Sequence, residues 1–412
     1  MRQIMDFDPF SLDVVREPHA FYAALRRDAP LYRPANGAYY LISRYRDVRD
    51  AALNPEVYSS NLVAVLFQGM SQPELLTIDG AGAGAVDALA IADPPAHGRQ
   101  RKLANGAVSV RRVAALEPAV RALAEELIGA ILPTGATSWR AAEWMSAVAV
   151  PLPMTVIAGL IGLPSADIPQ LKRWSDASVS LLSGMNTPEQ LAEQVRQVSE
   201  LMAYFRERVD AALPAPQDDL LGDLVRACSA ADDALTRDEV VSILLQILTA
   251  GNESTTSLIG SALRLLLEHP DIEARIRADG ALLEPFIEEA LRLETPFHGH
   301  FRLVRRDTAV AGLPLPAGSR VMLLWGAANR DPDEFADPDA IDLARRNGRS
   351  HLGFGFGIHH CIGAALARLE TRVVLETLLA RTGGLRRGAG AVTHVPSMLV
   401  RCLAALPIEL AR

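Results

Sequence analysis

The run Phe354-Gly355-Phe356-Gly357-Ile358-His359-His360-Cys361-Ile362-Gly363 sets one cysteine in a glycine-rich turn, and a helix-forming run from Ala364 to Glu370 follows at once. A sulfur so placed sits near the amino-terminal end of a helix, where unpaired backbone N–H groups and the helix dipole favour a thiolate. Gly355, Gly357 and Gly363 omit side chains where a flat ligand, or the helix itself, must approach the backbone closely. Phe354 and Phe356 supply apolar cover that keeps water off the sulfur. A dehydrated thiolate with room beside it is suited to hold a haem iron. The alternative for a lone buried cysteine is inert packing.

A second constellation, Ala250-Gly251-Asn252-Glu253-Ser254-Thr255, falls inside an apolar pattern from Arg237 to His269 that predicts one long helix. A mid-helix glycine costs on the order of 1 kcal/mol relative to alanine, and Glu253 and Ser254 are poor choices for a buried helix interior. Ser254 and Thr255 lie one turn after Ala250 and Gly251, on the same sides. Together they open a groove where a diatomic ligand fits and a hydroxyl can bond it; the hydroxyls can equally bond back to the preceding turn and bend the helix. Further along, Glu289 and Arg292 are three apart and meet on one helix face. His97 and Arg101, four apart behind Asp93-Pro94-Pro95, share a face and can grip an anion.

The cysteine run fills every fixed position of FGxGxHxCxG and so resembles the proximal haem-ligand loop of cytochrome P450. Ala250 to Ser254 resembles that family's oxygen-binding helix motif, A/G-G-x-D/E-T, with serine in place of the usual threonine and Thr255 directly after it. Glu289-Ala290-Leu291-Arg292 resembles the ExxR motif, and Asp93 to Arg101 resembles DPPxHxxxR.

The resemblance covers almost the whole chain and implies a single domain over residues 1–412, mainly α with small β-sheets. It implies haem b (iron protoporphyrin IX) ligated by Cys361, with His97, Arg101, Ala250, Gly251, Arg302, Phe354, His359 and Gly363 at the cofactor. Among these, His97, Arg101, Arg302 and His359 inherit contacts to the haem propionates. Glu253 becomes the acid and Ser254 the alcohol of a proton-delivery pair, with Thr255 able to share the role. Glu289, Arg292 and Arg345 become a buried structural network.

The reaction that the resemblance implies is insertion of one oxygen atom of dioxygen into an organic substrate, commonly hydroxylation, while the other atom leaves as water. A cysteinate ligand favours O–O cleavage. Two electrons then come from a ferredoxin or flavodoxin with its reductase, since no flavin or iron–sulfur segment follows residue 412. Two alternatives are a peroxide-driven haem oxygenase and a non-catalytic haem-based binding or sensing protein. The retained acid–alcohol pair favours dioxygen activation over both.

The elements that position these groups are mostly helical. Ala20 to Arg27 reads as a helix and Ala38 to Ile42 as a strand; helical patterns run from about 96 to 297, with breaks near Pro133, Pro164, Pro188 and Pro214. Residues 298–345 read as short strands with hairpin turns around 310–318, and a β-rich tail follows the helix after Cys361. The segment 57–92 reads as a long functional loop. Within it, Gly80 to Ala85 lacks the glycine spacing of a dinucleotide loop. Leu62 to Phe67, Leu181, Leu182, Ile247, Phe297 and Met398 are expected to make a largely apolar pocket for a small molecule, with His298 and His300 either contacting it or turned away.

A hydrophobic content of 49% supports a large core, and a formal net charge of −8 argues against a general nucleic-acid binder. Cys228, Cys361 and Cys402 are too scattered for a disulfide framework or zinc site. Met1 to Ala51 holds neither a signal-peptide core nor a membrane anchor, so a soluble, cytoplasmic protein without membrane contact is expected. Arg99, Arg101, Lys102, Arg111 and Arg112, with Arg345, Arg346 and Arg349, concentrate positive charge that suits docking of an acidic ferredoxin.

Overall fold

The computed structural model describes residues 3–34, 39–61, 86–135, 138–183, 185–229 and 234–412. Leu62 to Phe67 and the Gly80 to Ala85 run therefore lie outside the described residues. The helices that matter for the site are α1 (Ala96–Ala107), α2 (Val110–Ile131), α3 (Pro151–Ile161), α4 (Ile168–Leu181), α5 (Pro188–Ala212), α6 (Arg237–Glu268), α7 (Leu283–Leu293) and α8 (Ala364–Arg381).

The spine is α6. Thr236 starts it with a capping box: its hydroxyl accepts from the Glu239 N–H at 3.1 Å, and the Glu239 carboxylate accepts from the Thr236 N–H at 2.8 Å. Its 32 residues span about 48 Å, and α3, α4, α5, α7 and α8 all pack against it. Ile243, Leu244, Leu248, Ile259 and Leu263 on successive turns are fully buried. Burying aliphatic side chains all round is what a helix at the centre of a helical body requires. It also means that the buried polar residues of α6, Asn252, Glu253 and Thr255 among them, are there against the hydrophobic trend.

Strands flank this helical body. β1 (Leu31–Tyr32), β2 (Tyr40–Ile42), β3 (Tyr58–Ser59), β5 (His300–Val304) and β8 (Arg320–Leu323) make one sheet in the order β1-β2-β8-β5-β3, with β2 and β8 parallel. β6 (Thr308–Val310) and β7 (Leu313–Leu315) form the expected hairpin. Its turn places Ala311 and Gly312 at φ of 50° and 76°, the left-handed pair that a tight hairpin needs.

One strand breaks the expected helical stretch. β4 (Trp139–Glu143) pairs antiparallel with β12 (Pro407–Ala411), which also pairs with β9 (Gly384–Arg387). Apart from Trp139, Trp-Arg-Ala-Ala-Glu has little strand propensity, and its partner β12 is remote in sequence, so tertiary pairing overrides local preference. A single π-helical stretch, Met145–Ala149, then leads into α3, where Pro151 brings no N–H to a regular ladder. β10 (Thr393–His394) and β11 (Leu403–Ala405) complete the tail.

Two charge clusters bind α7 to the cysteine loop. Arg292 is fully buried, and its Nε and Nη2 donate to the two oxygens of Glu289 at 2.7 and 2.8 Å. Its remaining N–H groups reach the carbonyls of Asn329, Pro338 and Ala340. Arg345 Nε adds a bond to Glu289 at 3.1 Å, as the sequence led us to expect. Beside it, Glu288 accepts from Arg368 Nε at 2.6 Å and Nη2 at 2.9 Å, and pairs with His351 at 3.0 Å. Arg368 in turn lies 4.4 Å over the Phe354 ring.

Removing one partner of a buried pair strands the other, at about 3–5 kcal/mol. Arg292→Leu should therefore lower the urea midpoint by the equivalent of roughly that amount, with loss of haem retention. The second cluster has a pH signature. Burial alone would raise the Glu288 carboxyl, but the Arg368 and His351 bonds outweigh it and bring the pKa from 4.5 to about 2. A depressed carboxyl stabilises above its unfolded value, and that stabilisation is lost as pH falls from about 4.5 towards 2. Glu288→Gln should flatten the stability–pH slope in that window in denaturant titrations.

Candidate active site

The cysteine loop is closed by backbone bonds. Gly355 N–H donates to Leu352 O at 2.9 Å, His360 N–H to Gly357 O at 3.1 Å, and Cys361 N–H to Phe354 O at 2.8 Å. Gly355 and Gly357 adopt φ of 70° and 73°. A Cβ on Gly357 would also sit 2.5 Å from the Ala52 carbonyl, so glycine is required there twice over. Gly363 differs: its φ is an ordinary −85°, and a Cβ would meet only Cys361 Sγ at 3.8 Å.

Cys361 is surface-accessible yet crowded enough by protein to be desolvated, so its sulfur lies in a concavity. Burial pushes its thiol up. The N–H groups of Gly363 and Ala364 and the Arg101 and Arg368 cations act in the opposite direction without outweighing burial. The helix terminus expected to favour a thiolate is present, but desolvation exceeds it; a bound cation must supply the rest.

Beside the loop, polar groups converge without protein partners. His97, the second residue of α1, is 3% exposed, and its ring lies 4.2 Å from the His359 ring. His97 Nε2 and both ring nitrogens of His359 are buried with no hydrogen-bond partner among the described residues. Arg302, on β5, is 7% exposed and donates only to its neighbour's carbonyl, at 2.7 Å. No described carboxylate makes an ion pair with it: Asp93 is taken by Arg305 at 2.6 Å. Burial lowers Arg302 to about 10 and, with the nearby Arg302, His97 and Arg101, lowers His359 to about 2. Buried donors are ordinarily satisfied. An unmatched arginine and two unmatched histidines beside a cysteine fit a flat metal-bearing group with carboxylate arms. Arg101 behaves differently, since its guanidinium donates to the His360 carbonyl and so ties α1 to the loop.

On α6, Ser254 Oγ donates to the Ala250 carbonyl at 2.7 Å, the back-bonded option. Gly251 faces α3: a Cβ there would come within 3.0 Å of Ile157. Thr255, four residues on, follows that face and is buried, so Ser254 and Thr255 look in different directions. Glu253 is 8% exposed, with Lys172 Nζ of α4 at 4.0 Å. Burial raises its carboxyl pKa, against the pull of Lys172.

Several expected positions resolve differently. His298 and His300 are spent inside the protein: His298 Nδ1 meets the Tyr22 hydroxyl at 2.7 Å, and His300 Nδ1 accepts from Trp325 Nε1 at 2.7 Å. Burial holds both near a pKa of 3. Met398 N–H donates to Ser183 O at 2.9 Å, so the tail does meet the end of α4. Of the basic residues proposed for docking, Arg99 is paired with Glu239, Arg112 with Asp218 and Asp223, and Arg345 is buried on Glu289. Lys102, Arg111 and Arg346 remain exposed, as does Arg349, which pairs with Glu284 at 3.6 Å. Sequence reasoning missed Lys172, Glu288, His351 and Arg368, which lie outside the motifs' fixed positions and meet only through the fold. No described helix is long and apolar enough to cross a membrane.

Comparison with known proteins accords with this geometry. The family model for cytochrome P450 matches residues 77–381. The chain is 40% identical over 396 residues to cytochrome P450 144 of Mycobacterium tuberculosis, covering 95% of this chain and 88% of that protein. It is 33% identical to the cytochrome P450 monooxygenase PikC of Streptomyces venezuelae, covering 98% and 94%. Among solved structures, cytochrome P450 CYP109Q5 from Chondromyces apiculatus superposes with a TM-score of 0.84 at 35% identity, covering 98% of each chain. Cytochrome P450 CREJ in complex with (4-ethylphenyl) dihydrogen phosphate reaches 0.91 at 29% identity, covering 99% and 100%. The chain belongs to the cytochrome P450 family and is a haem-thiolate monooxygenase.

Proposed function

We propose that Cys361 is the iron ligand of this monooxygenase, within one domain over residues 1–412, and that His97, Arg302 and His359 receive the haem carboxylates. The carrying observation is the cluster of buried donors without protein partners next to a cysteine at a helix start. Bound haem supplies the oxidising chemistry, inserting one atom of dioxygen and releasing the other as water. The protein's own task is to hold the ligand thiolate, seat the carboxylates, shape the substrate cavity and deliver protons. Arg101 acts by fixing the loop backbone, and Phe354 by shielding the loop under Arg368. Ala250 leaves room on the face of α6 that Ser254 shares, and Gly251 lets α6 approach α3.

Protons reach the site through Glu253 and Ser254. Burial raises the Glu253 carboxyl, which moves it towards the range a general acid needs. Ser254 can release the Ala250 carbonyl and turn its hydroxyl inward, and the hydroxyl sits on the same side as Ala250. Thr255, on the α3 side, takes no part.

Electrons come from a ferredoxin or flavodoxin with its reductase, and the exposed Lys102, Arg111, Arg346 and Arg349 offer the positive surface for it. The substrate is a small, largely apolar organic molecule that is hydroxylated or epoxidised in the cytoplasm. Relatives named as vitamin D(3) 25-hydroxylase, cyclomarin C epoxidase and mycinamicin IV hydroxylase/epoxidase support that class.

The reduced, haem-loaded protein should give the strongly red-shifted Soret band with carbon monoxide that marks thiolate ligation. Cys361→Ala should lose it; a retained band would assign the ligand elsewhere. Glu253→Gln should slow turnover on the order of 10²-fold, the scale of a lost general acid. Ser254→Ala should raise the peroxide released per NADPH oxidised, while Thr255→Ala should not. The reverse order would move the alcohol role to Thr255.

A further inference from the structure

α6 is the spine of the body, yet one of its sides is open. Ala250 is exposed, and Gln246 and Ser254, one turn to either side of it, are only half-buried. Exposure halfway along a central helix marks a concavity, and it lies on the side of the Ser254 hydroxyl. The chain bonded across the Gln246 end of this opening is the 3₁₀ turn Leu89–Ile91, which leads on to Asp93 and the helix of His97.

A free 3₁₀ turn leaves its first N–H groups without acceptors. Here two glutamines from different helices supply them. Gln100 of α1 accepts from the Leu89 N–H at 2.8 Å, and Gln246 of α6 accepts from the Ala90 N–H at 2.9 Å. The nitrogen of the Gln246 amide donates to the Ala88 carbonyl at 2.8 Å, so both its polar atoms are engaged. Gln100 is fully buried and donates to Glu239 at 2.7 Å, which fixes it to the start of α6. Between the two clamps Leu89 takes a φ of 46°, a left-handed conformation that a leucine rarely adopts, with its side chain in the core. The clamps are unequal. The Gln100 bond is interior, whereas Ala90 is exposed and Ile91 half-buried, so on the open side Gln246 holds the turn against α6. Water can take over the Ala90 N–H if that glutamine is lost, at little cost in stability, but the distance of the turn from α6 is then no longer fixed.

We propose that Gln246 is a positioning residue for substrate selection: its amide clasps the backbone of Ala88 and Ala90 to α6 and makes that turn a fixed wall of the substrate cavity, limiting the width of molecule that fits beside Ala250. This rests on the reading of the open side of α6 as the substrate cavity. Both polar atoms of Gln246 are used in the clasp, so it acts through the wall and not by bonding the substrate. No covalent step is involved.

The test uses the haem-loaded full chain and two azoles of different width, imidazole and N-phenylimidazole. Each is titrated through the Soret red shift that a nitrogen ligand gives. Gln246→Met keeps the length of the side chain but cannot form the clasp. It should tighten N-phenylimidazole relative to imidazole by on the order of tenfold, with the carbon monoxide band and the urea midpoint unchanged. Gln246→Ala should do the same. Amide exchange read by mass spectrometry should quicken in the segment 86–92 and stay as it was in α8.

An affinity ratio that stays put or moves the other way in Gln246→Met overturns the proposal, as does unaltered exchange in the segment 86–92. So does relief in Gln246→Ala alone, because side-chain volume and not the clasp would then set the width. Ala250→Leu isolates the underlying reading, since filling the open side of α6 should weaken both azoles. If it leaves both affinities unchanged while exchange still responds to Gln246→Met, the clasp is real but the open side of α6 is not the substrate cavity.

Discussion

A fully buried guanidinium imposes the constraint on which the site depends. Arg292 brings five N–H donors into a region without water, and each must find an acceptor. Glu289 supplies two, and the others are carbonyls of residues 329–340, a stretch with little regular structure of its own. The irregular segment thereby acquires a fixed shape. Asn329, held within it, bonds Leu352 N–H at 2.6 Å and Thr295 at 2.8 Å, which carries the constraint from α7 to the start of the cysteine loop. Glu288, one residue earlier on α7, reaches the loop's other side through His351 and Arg368. Adjacent acids on a single helix thus hold both flanks of Cys361.

The loop is over-determined, whereas the polar groups facing its concavity are under-satisfied. Around Cys361 the N–H groups of Gly355, His360 and Cys361 are bonded within the loop, and Gly357 cannot be replaced without collision with the Ala52 carbonyl. His97, His359 and Arg302 are left unmatched in the same neighbourhood. Stability is concentrated in the frame, and uncompensated polarity in the cavity it supports. That division is what a preorganised cofactor seat requires, since a ligand bringing carboxylates relieves desolvation that the fold has already incurred.

How much was legible in the sequence follows from how local each feature is. Cys361 and its glycines, Glu289 with Arg292, and His97 with Arg101 each sit on one element at a spacing that fixes their geometry. Helix and turn periodicity placed them, and resemblance to the P450 motifs supplied their roles. Arg345 joined its network because a motif pointed to it. By contrast β4 could not be read, because Trp139 to Glu143 becomes a strand only through β12. On sequence alone His298 can face the pocket or turn away from it; its partner, Tyr22, lies 276 residues distant. Arg112 looked free until α2 met Asp218 and Asp223. In each case the deciding partner is remote in sequence, and composition carries no record of it.

The three-stranded sheet β4-β12-β9 also has a consequence for how the molecule is made. β4 ends at Glu143, whereas its partner β12 begins only at Pro407, after the helical body and the cysteine loop. Until β12 has been synthesised, β4 has no partner in that sheet. Such long-range pairing is slow to form. The helices between them can therefore pack before this sheet closes, which makes β4-β12-β9 a late part of the molecule to mature.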